Sequence, residues 1–159
     1  MKKYLAINDR RATKKEMLNI FGSNTTKLPP HDVNKNLGWT LFCVNNKFKK
    51  LVKTAIIQLI DEGNFTWFNG HAKTDIFLNS FKKSETYKSL REIYTPETLV
   101  EEIITKGWLS VKSMSTDADF IFSQDCPLYY EFFASEMGIS FYVKIMWEAN
   151  GKISIDFHD

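Results

Sequence analysis

The chain has 159 residues, a net charge of +2, 43% hydrophobic residues and 25% charged residues. These proportions are typical of a globular protein and argue against a disordered or fibrous chain, and the length predicts a single domain over residues 1–159. No apolar run is long enough to span a bilayer, and no apolar signal-peptide segment follows Lys2 and Lys3. We therefore expect a cytoplasmic protein that does not enter a membrane.

The cysteines and histidines of the sequence do not have the spacing of a metal-binding or redox site. The two cysteines, Cys43 and Cys126, lie far apart in apolar surroundings, which is not a metal or redox spacing. His71 and Asp75 have the spacing of two ligands on one helical face, but Gly70 indicates a turn there. No phosphate-binding loop, nucleophile elbow or cysteine–histidine pair is recognisable. The sequence predicts no catalytic residue, no metal and no cofactor.

Charge is unevenly distributed along the chain. Residues 1–53 contain twelve Lys or Arg against three Asp or Glu, a balance of +9, whereas residues 54–159 have a balance of −7. A basic segment of this kind is typical of a contact with an acidic partner or with phosphates. The aromatic content of 14% is also high, which favours either a bulky core or an adhesive surface.

The N-terminal third has weak structural signals. Residues 4–7 predict a short strand, and residues 13–22 predict a helix with a capping box at its start and a glycine at its end. Residues 23–37 are polar and contain Pro29 and Pro30, which exclude a helix. We expect a long exposed loop here, and loops of that length are often contact segments.

A strand over 39–44 and the clearest helix, over 46–62, come next. The helix has apolar residues at intervals of three and four. Its charges oppose the helix dipole, because Lys47, Lys49 and Lys50 lie at the positive N-terminal end, at a cost of about a few tenths of a kcal/mol each. These lysines form either a solvated face with partners outside the helix, or a docking site for an acidic partner or phosphates.

The middle of the chain predicts a strand and several helices. A short strand over 65–68 precedes a helix that Thr74 or the residue after it caps, and Ser84 restarts a second helix. The helix over 96–106 has the strongest boundaries, because Thr95 is a good N-cap and a proline takes the first helical position.

Strands return after that helix. Residues 108–114 and 119–124 predict a β-pair, with Trp108 folded back over the last helical turn. The segment 128–158 then has the alternating pattern of a three-strand antiparallel meander. The alternating apolar positions are Tyr130, Phe132 and Ala134, then Ile139, Phe141, Val143, Ile145 and Trp147, then Ile153, Ile155 and Phe157.

The two turns of the meander determine which residues are neighbours. A loop over 149–151 places Lys144 opposite Asp156 and keeps all apolar residues on one face, whereas a shorter loop would mix the faces. A four-residue turn over 135–138 places Glu131 beside Tyr142, and Tyr142 beside His158. This row resembles general acid–base equipment only loosely.

The predicted fold class is α+β, with an antiparallel sheet, a C-terminal meander and four or five helices packed on it. The helices over 46–62 and 95–106 are expected to cover the apolar side of the meander. The other side is rich in aromatic groups, and with the lysine-rich helix start it forms the predicted partner-binding surface. Its residues are Tyr129, Glu131, Phe133, Tyr142, Lys144, Met146 and His158, together with Lys47, Lys49 and Lys50.

Three classes of function remain open. The first is a small interaction protein, of the immunity, antitoxin or phage-inhibitor type, that binds and neutralises a partner protein; a Lys-, Asn- and Phe-rich composition suits a bacterial or phage gene. The second is a nucleic-acid-binding protein. The third is a small enzyme with a site at Glu131 and His158. The second class would use the helix segment 47–53 and the cluster of Arg10, Arg11, Lys14 and Lys15.

Overall fold

The computed structural model describes seven segments of the chain. These segments are residues 6–7, 10–11, 25–32, 37–42, 46–113, 129–148 and 150–159. The burial of side chains is described for residues 49–110, 129–148 and 150–159.

In the described segments, the helices lie between residues 46 and 106, and strands precede them, follow them and in one case separate them. The helices are α1 Asn46–Asp61, α2 Lys73–Lys83, α3 Lys88–Ile93 and α4 Pro96–Lys106, with a 3₁₀ turn at Glu85–Tyr87. The strands are β1 Ala6–Ile7, β2 Arg10–Arg11, β3 Thr25–Asp32, β4 Leu37–Phe42, β5 Phe65–Trp67, β6 Trp108–Ser113, β7 Tyr129–Glu136, β8 Ile139–Trp147 and β9 Ile153–His158.

The main sheet has the strand order β3-β4-β6-β7-β8-β9-β5. Neighbouring strands are antiparallel except β5 and β9, which run parallel with Phe65 opposite Ile153. The predicted α+β class is confirmed, but the sheet is mixed rather than purely antiparallel. A three-residue strand far in sequence from its partner has no local pattern that would reveal its direction.

Predictions for the first third of the chain can be compared with the structure wherever their residues are described. The strand predicted over 4–7 corresponds to β1, which pairs with β2, and the helix predicted over 13–22 lies outside the described residues. The long loop predicted over 23–37 is wrong, because β3 and β4 pair there. Pro29 and Pro30 fit into β3 because it is an edge strand, and its register with β4 shifts around them.

The helix boundaries follow their local signals with one exception. Thr95 accepts a hydrogen bond from the Thr98 amide at 3.2 Å, which confirms the predicted N-cap of α4. Ser84 accepts from the Thr86 amide at 3.2 Å, as expected of a restart. The predicted cap of α2 is wrong, because this helix begins at Lys73 without a side-chain cap and the Thr74 hydroxyl has other partners.

The predicted strand over 108–114 is confirmed as β6, but its neighbours are β4 and β7. The segment 119–124, its predicted partner, lies outside the described residues. The prediction that Trp108 folds back over the last turn of the preceding helix is wrong. It belongs to β6, opposite Phe133 of β7.

The core lies between the apolar face of the meander and the helices. As predicted, α4 packs on this face, against β7 and β8, while α1 packs against α4 and α2 packs against β9. Phe77 of α2 connects the two layers, with its ring centroid 4.6 Å from that of Phe157 and 5.8 Å from that of Phe141. No helix in the described part of the chain is both long and apolar enough to cross a bilayer.

The meander itself is confirmed, with one register corrected. Trp147 lies opposite Ile153 and Lys144 opposite Asp156, as predicted. The predicted register between β7 and β8 is wrong by two residues, because the turn consists of Met137 and Gly138, both with positive φ. This tight turn keeps each residue on its predicted face but changes its neighbours across the strands.

Candidate functional site

The corrected register rearranges the predicted partner-binding residues into two rows across the non-core face of the sheet. Directly opposed residues of antiparallel strands point to the same side. One row is aromatic and the other is charged. The aromatic row runs Trp108, Phe133, Tyr142 and His158, and the charged row runs Ser110, Glu131, Lys144 and Asp156.

Asp156 is the centre of the charged row and is only 3% exposed. The Thr74 hydroxyl donates to one of its oxygens at 3.0 Å, and His71 Nε2 lies 3.1 Å from the other. Lys144 Nζ lies 3.8 Å and His158 Nε2 3.9 Å from the carboxylate. The carboxylate is therefore buried with hydrogen bonds and positive charge around it, as a buried ion requires.

The hydrogen bonds of His71 determine its tautomer and argue against a metal site. The Lys73 amide donates to His71 Nδ1 at 3.1 Å, so the ring proton is on Nε2 and is donated to Asp156. Nε2 then has no lone pair for a metal. Accordingly, no group of three or more His, Cys, Asp or Glu is arranged to hold a metal ion among the residues that the structure describes.

Glu131 is buried, at 6% exposure, which makes the expectation that it faces solvent wrong. The Tyr142 hydroxyl donates to its carboxylate, and burial, with Glu131 and Asp156 nearby, raises the pKa of Tyr142. Lys144 Nζ lies 5.4 Å from the centroid of the Tyr129 ring, which extends the same cluster. These groups satisfy one another, so this part of the face presents no free carboxylate to a substrate.

Exposure is concentrated at the other end of the aromatic row. Trp108 is 68% exposed and Phe133 is 44% exposed. The ring centroids of Phe133 and Tyr142 lie 5.2 Å apart, and those of Tyr142 and His158 lie 4.9 Å apart. Tyr142 and His158 are half-buried. The row therefore leads from a half-buried end at β9 to a solvent-facing end at β6.

Trp108 connects the two groups of residues that the sequence predicted separately. Lys49 Nζ lies 4.6 Å from the centroid of the Trp108 ring, a distance typical of a cation–π contact. The lysine-rich start of α1 thus reaches Trp108, which lies opposite Phe133 in the sheet. Lys50 is exposed, and the side chain of Lys47 lies outside the description. We name the surface formed by Lys49, Lys50, Trp108 and Phe133 the aromatic–lysine surface.

The orientation of Trp108 was missed although the sequence contains a signal for it. In β6, Leu109 is buried and opposite Phe132. Since side chains alternate between the two faces of a strand, Trp108 must point away from the core. The alternation of Trp108, Leu109, Ser110 and Val111 predicts this orientation once the strand is extended to its first residue.

Lys53, one turn further along α1, is bound to the end of α4. Its Nζ donates to the carbonyl oxygens of Thr105 at 2.9 Å and Gly107 at 3.0 Å. Burial, with the charge of Lys49 as a smaller cause, lowers the pKa of Lys53. Of the three lysines for which the sequence left two alternatives open, Lys49 has a partner outside its own helix, and Lys50 is exposed on the same side of α1.

Comparisons with protein-family models, with curated proteins and with solved structures found no match to this chain. The fold and the surface therefore define the class by themselves: an α+β protein with a mixed sheet and a small, exposed surface of aromatic and lysine side chains.

Proposed function

We propose that this chain is a small cytoplasmic interaction protein of the immunity, antitoxin or phage-inhibitor type, which binds and neutralises a partner protein. The observation that carries this proposal is the aromatic–lysine surface. Trp108 and Phe133 expose large apolar side chains next to each other, with the Lys49 ammonium group against the Trp108 ring.

The physical support comes from how protein interfaces distribute their binding energy. A few aromatic side chains near the centre of an interface supply most of it, and surrounding polar groups exclude water. An exposed tryptophan gains nothing for folding from its solvent-facing area, whereas a partner that covers it removes that area from water. The charged row beside this surface on the same face is held by its own hydrogen bonds and ion pairs, and a binding surface on such a pre-organised sheet has a lower entropic cost of binding.

The proposal is tested by titration calorimetry of the purified chain against the purified products of neighbouring genes. We expect one of them to form a tight one-to-one complex. Trp108→Ala should weaken that complex by about 30-fold or more, which corresponds to about 2 kcal/mol. Ile93→Ala is the matched control, because Ile93 on α3 is 61% exposed but lies on a different element, and it should leave the affinity unchanged.

Two results would reject the proposal. One is that no neighbouring gene product binds. The other is that Trp108→Ala and Ile93→Ala have the same small effect on a complex that does form, because the binding surface would then lie elsewhere.

A second candidate function, nucleic-acid binding, is supported by the contact between Lys49 and Trp108. Proteins that bind single strands combine basic groups with aromatic side chains on which bases stack. Trp108 lies outside the basic first third of the chain, so its contact with Lys49 could not be predicted from the sequence.

This second candidate is tested by the salt dependence of binding to mixed RNA and DNA. Each phosphate contact releases counterions, so the affinity should fall steeply as salt rises. A flat salt dependence, or no binding at low salt, contradicts it.

A further inference from the structure

We propose that the partner presents an acidic segment to this protein, and that a cleft between α1 and α4 receives carboxylates of that segment. This inference rests on the proposed function and adds the chemistry of the partner. The cleft has a volume of about 400 Å³ and is adjacent to the aromatic–lysine surface through Lys49. Its lining residues are Lys49, Lys50, Lys53, Thr54, Ile57 and Thr105.

The cleft has an excess of positive charge. Three lysines line it, and none of them takes part in an ion pair with a described residue. Burial, and to a smaller extent the positive charge of Lys49, lowers the pKa of Lys53, as expected where like charges lie close together. An anion placed in the cleft offsets this repulsion, because it is attracted to each of the lysines.

The positions of the three lysines are suited to an extended acidic segment. Lys53 is held at one side of the cleft by the Thr105 and Gly107 carbonyls. Lys49 is held against the Trp108 ring, and Lys50 extends from an exposed position. A carboxylate in the cleft would therefore lie close to a partner side chain that covers Trp108.

Side chains, rather than the free amides of a helix terminus, form the cleft. Its lining begins at Lys49, whereas α1 begins at Asn46. The hydroxyl group of the exposed Thr54 adds a neutral hydrogen-bond donor.

The aromatic groups favour an acidic polypeptide over a nucleic acid. A single strand is held by successive aromatic platforms along a groove. Here Lys49 already occupies one face of Trp108, and Phe133 packs against Tyr142 at an interplanar angle of 54°. Among the described members of the aromatic row, only Trp108 and Phe133 are exposed, so the row offers one small patch rather than a series of stacking sites.

The inference is tested on the full ¹⁵N-labelled chain with two probes of equal charge, a short polyglutamate peptide and an oligothymidylate. We expect the peptide to shift the amide signals of Lys49, Lys50 and Thr54 and the indole signal of Trp108. The double variant Lys49→Glu/Lys50→Glu should weaken peptide binding by about tenfold or more. The control is Lys82→Glu/Lys83→Glu, which makes the same charge change in the exposed last turn of α2 and should have little effect.

Three outcomes overturn the inference: no shifts at the cleft, an equal loss of affinity in the control variant, or tighter binding of the oligothymidylate than of the peptide. Lys50→Glu alone, at an exposed position, repeats the test if the double variant does not fold. If the peptide does not bind but a neighbouring gene product forms a complex that depends on Trp108, the acidic segment is rejected and the proposed function stands. If the peptide binds at the cleft but no neighbouring gene product forms a complex, the proposed function is rejected instead.

Discussion

At the scale of single residues, Glu101 is a carboxyl group in an unfavourable environment. Its Oε1 is buried without a hydrogen-bond partner. Burial, with a hydrogen bond to Asp61 and the charge of that carboxyl group, raises the pKa of Glu101 from 4.5 to about 7. Between pH 4.5 and about 7, Glu101 therefore keeps its proton in the folded state and has released it in the unfolded state.

The sign of the resulting pH dependence is definite. As pH rises from about 4.5 through about 7, the contribution of Glu101 to the stability of the fold is lost, because ionised Glu101 is disfavoured only in the folded state. Glu101→Gln should remove this loss. The variant is expected to be more stable than the parent at pH 8 by on the order of 1 kcal/mol, since partial exposure screens the effect, and no more stable at pH 4.

Urea unfolding at both pH values measures this difference. Glu92→Gln, at an exposed position of α3, is the control and should follow the pH dependence of the parent. If Glu101→Gln is less stable than the parent at pH 8, the ionised carboxylate makes a favourable contact and the argument fails.

Asp156 shows how one residue can join two elements. Its carboxylate accepts a hydrogen bond from Thr74, whose own oxygen accepts from the Phe157 amide at 3.2 Å. The start of α2 is thereby fixed to the edge of β9, next to the position where β5 ends. The hydroxyl that appears in the sequence as a helix cap is used for this tertiary contact instead, and local pattern alone does not distinguish the two uses.

At the scale of elements, the turn between β7 and β8 controls which residues meet on the sheet. Met137 has φ 49° and Gly138 has φ 78°, the backbone of a type I′ turn, which asparagine adopts more easily than methionine. Met137→Asn should therefore stabilise the protein by about 0.5–1 kcal/mol, since the methionine is half exposed and loses little burial.

The urea midpoint of Met137→Asn measures this gain, and Gly138→Ala is the opposite control. Alanine at a positive φ is strained, so Gly138→Ala should destabilise by about 1 kcal/mol. A loss of stability in Met137→Asn would mean that the methionine side chain makes contacts that outweigh the backbone strain.

The predictability of these elements follows the range of the interactions that form them. Alternation in β7, β8 and β9 is sufficient to assign the core face, because Phe132, Val143 and Ile155 are all buried as predicted. The cap at Thr95 is also local. The register after Glu136 is not, because methionine is an unusual turn residue, and the predicted four-residue turn displaced Glu131 by two positions.

At the scale of the whole molecule, this register decides where the candidate binding surface lies. With Glu131 opposite Lys144, and Lys144 opposite Asp156, the charged groups lie together and leave the aromatic row to reach solvent at Trp108. The predicted broad surface is thereby reduced to one end of the sheet. The approach of α1 to this end, which brings Lys49 to Trp108, depends on the packing of α1 against α4 and has no counterpart in the local sequence.

The separation of folding from binding in this molecule can be tested with two tryptophans. Trp147 is buried in the core, with its ring centroid 5.2 Å from that of Tyr130, so Trp147→Ala should cost about 3–5 kcal/mol of stability. Trp108→Ala should change the free energy of unfolding by no more than about 0.5 kcal/mol, because most of the ring already contacts water.

Urea unfolding of the two variants measures both values under the same conditions. A large loss of stability in Trp108→Ala would show that the ring packs as part of the fold, and it would remove the basis for a binding surface there. The expected result, a stable Trp108→Ala protein, makes this variant suitable for the calorimetric experiment with a partner, because any loss of affinity then reports the missing side chain and not a loss of structure.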